Sequence, residues 1–306
     1  MSPPLPAVPR KYTRATIRIG LPEPVRLLHL SDTHLTLADG RDNERKRQLA
    51  SRCTADFAVG GCNSRKHLEE ALAYAKEHAE LIVNTGDLID FISYRNLDLA
   101  REFFSKHDCV VAAGNHEFSK YVGEAWVDEA YKLDSLSLIQ QYYPNNLRFT
   151  SRIVGGMNLV AVDNSYYLFR EEELERFETE IARGYPIVLL LHNPLHTDEL
   201  YHEMMVNRKS ECAYLVGTPE ELLKPYCDHR YRQQRPDDAT LAFLDRVAHE
   251  PLVKAILAGH LHFNFDTTFA GRILQHITGG GFQDFAYAVE LVWQPGKQNQ
   301  CSETGN

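Results

Sequence analysis

Short, almost unbroken apolar runs recur along the chain: VRLLHL (25–30), LIVNTG (81–86), CVVAAG (109–114), NLVAVD (158–163), PIVLLLH (186–192) and VKAILAGH (253–260). Runs this short, rich in β-branched residues and lacking polar alternation, predict strands buried on both faces. Between them the period changes. SRKHLEEALAYAKEHAE (64–80) brings Leu68, Ala71, Leu72 and Ala75 to one helical face, with Asn63 or Ser64 as its cap. Comparable patterns over 95–106, 124–139 and 171–183 predict further helices. Strand–helix alternation predicts an α/β layered fold. From 263 to 293 the pattern alternates and is punctuated by glycine, which predicts antiparallel strands and hairpins. Residues 196–240 carry no strong strand signal and read as an insertion or cap over one face. With no internal repeat, 1–306 reads as a single domain with flexible tails at 1–15 and 295–306.

Composition changes the picture mainly by exclusion. A chain of 306 residues with 43% hydrophobic and 25% charged side chains has ample material for a soluble core. Its net charge of −9 argues against a nucleic acid or a membrane surface as main partner. A small phosphorylated substrate remains admissible, because bound cations can reverse the field locally. No run reaches membrane-spanning length, and the Pro-rich start lacks an apolar signal core. Cys53, Cys62, Cys109, Cys212, Cys227 and Cys301 form no CxxC pair and no regular framework, so free thiols in a reducing cytoplasm are expected. Nothing in the sequence sets an oligomeric state.

The chemistry lies where the apolar runs stop. VRLLHL is followed by SDTHL, with Asp32 and His34; LIVNT by GDLID, with Asp87 and Asp90; CVVAA by GNHE, with Asn115, His116 and Glu117. PIVLLL is followed by His192, and KAILA by GHLHF, with His260 and His262. Ligands of open α/β sheets bind beyond the carboxyl ends of the strands, so these side chains are expected to converge. Gly86, Gly114 and Gly259 fit this picture by letting the backbone turn sharply off the sheet. Carboxylate, imidazole and amide oxygen without thiolate suit two divalent or trivalent ions, with Mn, Fe or Zn preferred and Mg or Ni admissible. Asp32, His34, Asp87, Asn115, His192, His260 and His262 are too many ligands for one ion with an open position, and about right for a binuclear centre.

In this order, D-x-H, G-D-x-x-D, G-N-H-E, a lone His and G-H-x-H, the chain resembles the calcineurin-like metallophosphoesterase superfamily from Asp32 to His262. The resemblance implies a four-layered α/β/β/α sandwich of two mixed sheets flanked by helices. It implies that Asp32, His34, Asp87 and His262 hold one metal and Asp87, Asn115, His192 and His260 the other, with Asp87 bridging. It also implies that His116 protonates the leaving oxygen and that Asp90 orients it, while Glu117 suits a structural role at least as well as a catalytic one. The expected reaction is hydrolysis of a phosphate ester, diester or monoester, by a hydroxide shared between the metals.

Departures from the pattern narrow the substrate. Ser/Thr protein phosphatases of this superfamily carry arginines where Phe91 and Ala113 stand, and purple acid phosphatases carry a Tyr where Asp90 stands. LLHLSDTHL looks more like the bacterial phosphodiesterase-type members. Two basic stretches, RDNERKRQLASR (41–52) and DHRYRQQR (228–235), could clamp an anionic substrate, though solvated helix faces are the commoner use of such runs. Asp163, ending NLVAVD, reads as a brace for the metal loops. The competing readings are a family member that lost its chemistry and serves as a binding or scaffold protein, and a dizinc amide hydrolase. Neither accounts for an intact GNHE and GHLH in this order.

Overall fold

The apolar runs form two sheets that face each other, in a computed structural model that describes residues 12–21, 23–58, 63–124 and 128–292. The strands are β1 (Tyr12–Arg18), β2 (Val25–Leu30), β3 (Leu81–Asn84), β4 (Cys109–Val111), β5 (Phe149–Val154), β6 (Met157–Val162), β7 (Ile187–Leu190), β8 (Val253–Ala258), β9 (Phe265–Phe269), β10 (Ile273–Ile277) and β11 (Ala286–Val292). One sheet runs β1-β11-β2-β3-β4 and the other β5-β6-β7-β8-β10-β9. Both are mixed: β2, β3 and β4 pair in parallel, as do β6, β7, β8 and β10, while β5, β9 and β11 bring antiparallel pairings.

Side chains alternate across each strand, so a strand buried on both faces feeds two cores. Leu27, Val83 and Val110 of the first sheet meet Leu159, Val188 and Leu257 of the second. On the far side of the first sheet, Leu28, Ile82 and Val111 pack against α2 (Ser64–His78) and α3 (Tyr94–Lys106) through Leu68, Ala71, Leu97 and Phe103. On the far side of the second, Val160, Leu189 and Ile256 pack against Phe177 of α5 (Glu171–Ile181) and Phe243 of α9 (Asp238–His249). The result is the α/β/β/α sandwich.

Asn63, Ser93, Asp128 and Asp237 cap α2, α3, α4 (Glu129–Ile139) and α9 by accepting a backbone N–H. Two elements depart from expectation. Residues 12–15, expected in a tail, belong to β1, where Ala15 and Ile17 point into the core in parallel register with β11; residues 1–11, 295–306, Cys62 and Cys301 lie outside the described residues. The 263–293 segment has the expected hairpin, β9–β10, and an antiparallel pairing of β11 with β2, but it is split between the sheets: β11 crosses over and inserts between β1 and β2. Cys53, Cys109 and Cys212 are buried free thiols, and Cys227 is an exposed one.

The 196–240 segment contains α6 (Asp198–His202), one turn of π-helix (Glu203–Asn207), α7 (Glu220–Leu223) and α8 (Asp228–Gln234). It has a small core of its own, in which Leu200, Met204, Leu215 and Leu223 pack onto Ala258 and Ile277. Among the described residues no helix is long and apolar enough to cross a membrane.

Candidate metal centre

Five strands deliver the candidate residues from their carboxyl ends: β2 to Asp32 and His34, β3 to Asp87 and Asp90, β4 to Asn115 and His116, β7 to His192, and β8 to His260 and His262. Main-chain bonds tie the loops together. Asp32 N donates to the Gly86 carbonyl (2.9 Å), His34 N to the Asp87 carbonyl (2.9 Å) and Gly259 N to the His192 carbonyl (3.0 Å). Five of the ten described non-glycine residues with positive φ are here: Asp32, His34, Asp87, His260 and His262. Each such residue costs on the order of 1 kcal/mol, and strain of this kind persists where the surroundings over-determine a functional geometry. Gly86 has the left-handed φ of 103° that the turn asks for. Gly114 and Gly259 do not, and their role is room: a Cβ on Gly114 would overlap Asp87 Oδ1, and one on Gly259 would overlap Ser31 Oγ.

Each buried carboxylate uses one oxygen on the protein and turns the other inward. Asp32 Oδ2 accepts from His260 N (2.9 Å), while Oδ1 has no hydrogen-bond partner and lies 3.3 Å from His262 Nε2. Asp87 Oδ1 accepts from His116 N (2.8 Å), while Oδ2 lies 3.2 Å from His192 Nε2 and 3.8 Å from His34 Nε2. The rings are held from behind. His34 Nδ1 bonds Asp90 Oδ1 (2.9 Å), His192 Nδ1 donates to the Thr85 carbonyl (2.7 Å), and the Tyr167 hydroxyl meets His260 Nε2 (2.7 Å). These bonds leave His34 Nε2, His192 Nε2 and His260 Nδ1 facing the centre.

The donors are spaced as ligands of shared ions. His34 Nε2 and His262 Nε2 are 3.2 Å apart, and His192 Nε2 is 3.1 Å from both Asn115 Oδ1 and His260 Nδ1. Atoms about 2.1 Å from one cation lie roughly 3 Å from one another, so this donor set fits bound cations. One atom each from Asp32, His34 and His262, and from Asp87, His192 and His260, falls within 4.8 Å of its fellows. His34, Asp87 and His116 meet the same criterion, but His116 Nδ1 is engaged by Asp90.

The electrostatics ask for positive charge. Burial favours protonated Asp32 and Asp87, yet His262 beside Asp32 and His192 beside Asp87 outweigh it and hold both carboxyls below their ordinary range. Burial keeps His34 and His260 neutral, as a ligand must be. Burial would also lower His192, but Asp87 pushes it up to about 9.

His116 is partly exposed, with one fifth of its side chain accessible. Its Nδ1 faces the Asp90 carbonyl (2.8 Å) and Asp90 Oδ1 (3.0 Å), which leaves Nε2 for a substrate. Burial opposes its protonation, but Asp87 and Asp90 push it up to about 10. Glu117 is fully buried and ties two loops together: it accepts from Asp87 N (2.7 Å), Leu88 N (2.8 Å) and Gly114 N (2.8 Å), and from the Tyr143 hydroxyl (3.1 Å). Burial and the nearby Asp87 charge push its carboxyl up to about 7 against those bonds.

Asp163 braces its neighbourhood through Ser165 and a 2.6 Å ion pair with buried Lys132. The next residue, Asn164, bears directly on the centre: its Oδ1 accepts from His192 N and Asn193 N, both at 3.1 Å. It follows the sixth strand exit, so the strand-end logic could have found it. Phe57, stacked on His34 at 4.5 Å, and Phe282, edge-on to His262 at 5.1 Å, carry no comparable signal. Of the basic stretches, α1 (Glu44–Asp56) and α8 carry arginines paired at the surface, Arg47 with Glu44 and Arg232 with Asp228, as solvated helix faces would. Arg41 likewise pairs with Asp39 and Asp98.

A family model described as calcineurin-like phosphoesterase matches residues 25–264. A cAMP/cGMP dual specificity phosphodiesterase of Mycobacterium tuberculosis is 26% identical over 258 residues, covering 80% of this chain; the chain spans 64% of that relative's length. Among solved structures, a dimetal phosphatase from Danio rerio is 16% identical with a TM-score of 0.46, covering 85% of this chain and 88% of its own. A purple acid phosphatase from yellow lupin is 14% identical with a TM-score of 0.48, covering 90% of this chain and 47% of its own.

Proposed function

Since the chain belongs to the calcineurin-like phosphoesterase family, hydrolases of phosphate esters, we propose that it cleaves a phosphodiester at a binuclear metal centre with His116 as general acid. The observation that carries this reading is Asp87 Oδ2, which lies within 4 Å of a ring nitrogen from each proposed ligand set, 3.8 Å from His34 Nε2 and 3.2 Å from His192 Nε2. That position suits a carboxylate oxygen shared by two cations. Asp32, His34, Asp87 and His262 would hold one, and Asp87, Asn115, His192 and His260 the other. When bound, the pair supplies positive charge for the phosphoryl oxygens and acidifies water.

The chain's own residues do the rest. His116 donates the proton on Nε2 to the leaving oxygen, and Asp90 at Nδ1 keeps the ring charged until it does. Asp90 bonds His34 through the same Oδ1, so it sets the orientation of a ligand and of the acid together. A diester is preferred over a monoester because of what flanks the motifs. A dianionic monoester calls for additional cations, and the positions of the protein-phosphatase arginines hold fully buried Phe91 and Ala113. The relative named for cyclic-nucleotide hydrolysis supports the same choice and makes a 3′,5′-cyclic nucleotide the first natural diester to try.

Metal-stripped protein re-loaded with Mn²⁺ is expected to hydrolyse bis-(p-nitrophenyl) phosphate faster than p-nitrophenyl phosphate. A preference for the monoester would sink the diester assignment. Failure to turn over either, with two ions bound, would favour a narrow natural substrate or a binding role, and failure on a 3′,5′-cyclic nucleotide as well would favour the binding role.

A further inference from the structure

A second cluster of metal-ligating side chains lies outside the seven residues above. His67 and Glu70 are three apart on α2 and therefore share a helical face. Asp284 comes to meet them from the end of the Gly281–Gln283 turn, in the left-handed conformation with φ 68°. One donor atom from each of the three falls within 4.8 Å of the others. His67 is 7% exposed, and neither of its ring nitrogens has a hydrogen-bond partner. Its Nδ1 lies 3.8 Å from Asp284 Oδ1, too far for a hydrogen bond yet within the roughly 4 Å that two donors about 2.1 Å from one ion can span. A buried imidazole with both nitrogens unsatisfied demands an explanation.

We propose that His67, Glu70 and Asp284 form a third cation site, distinct from the binuclear centre, that takes a divalent zinc-class ion. One imidazole and two carboxylates make an N/O set suited to zinc, with water completing the shell. The site's place in the fold gives it a task. The Gly281–Gln283 turn donates Gly281 N to the Ser31 carbonyl (2.8 Å) and carries Phe282, which packs edge-on against His34 (5.8 Å) and His262 (5.1 Å). A cation joining Asp284 to α2 fastens this turn, and with it one wall of the main centre.

The test is metal content. Full-length protein is reconstituted with Zn²⁺, freed of excess by gel filtration, and analysed by mass spectrometry for zinc per chain, beside His67→Gln and Glu70→Gln. Each variant is expected to hold one ion per chain fewer than the wild type. Equal zinc in all three overturns the site. Circular dichroism reports whether His67→Gln folds; if it does not, the partly exposed Glu70 position decides alone. All three proteins share the same seven binuclear ligands, so an inactive or part-loaded main centre leaves the comparison intact.

Discussion

Asp90 and His116 show how single residues divide the labour at this centre. One carboxylate oxygen faces Nδ1 of both His34 and His116, yet His34 turns Nε2 toward Asp87 while His116 keeps a fifth of its side chain open to solvent. In the proposed mechanism the same partner thus favours a ligand in one ring and a proton donor in the other. A general acid matters in proportion to how poor the leaving group is. His116→Ala is therefore expected to lower kcat on a diester with an alkyl leaving group by about 10²–10⁴-fold. On bis-(p-nitrophenyl) phosphate, whose leaving phenolate needs little protonation, the loss should be much smaller. Rates across a leaving-group series would check this, and an equal loss at every leaving group would remove His116 from the proton transfer.

At the scale of elements, the loops after β3 and β4 are joined by Glu117. Glu117→Gln keeps the volume but turns an amide NH₂ toward backbone N–H donors. An expected cost of about 1–3 kcal/mol follows from leaving such groups unpaired, measurable by urea denaturation. A variant as stable as wild type would show that the clamp holds little. The sequence made this loop readable as chemistry because GNHE has no packing rationale, and it made β2, β3, β4, β6, β7 and β8 readable because strands buried on both faces are apolar throughout. It was less informative where pairing is non-local. YTRATIR has the alternation of a half-buried strand but sits behind a Pro-rich start, and nothing local says that its partner is 274 residues on, at Ala286. AYAVELV likewise reads as a strand without saying which sheet it joins. Phe57 and Phe282 were unreadable for the same reason: an aromatic side chain acquires its meaning from the rings it meets.

For the whole molecule, two sheets present their carboxyl-end loops to one place and bury Asp32 and Asp87 there, both held in the charged form. Bound cations would therefore stabilise the native state by mass action, by about 2.7 kcal/mol for one ion at a hundredfold excess over its Kd. Treatment with EDTA is expected to lower the melting temperature, and Mn²⁺ to restore it; thermal denaturation followed by circular dichroism would check this. Identical melts with and without chelator would argue against cations at these residues. The insertion of β11 between β1 and β2 has a consequence for how the molecule comes into being. Among the described strands, translation delivers β1 before β11, so β1 waits without its sheet partner while everything between them is made. In a nascent chain still tethered to the ribosome before Ala286, every strand of the second sheet is already made, but the first sheet stays open at β2 until β11 is released.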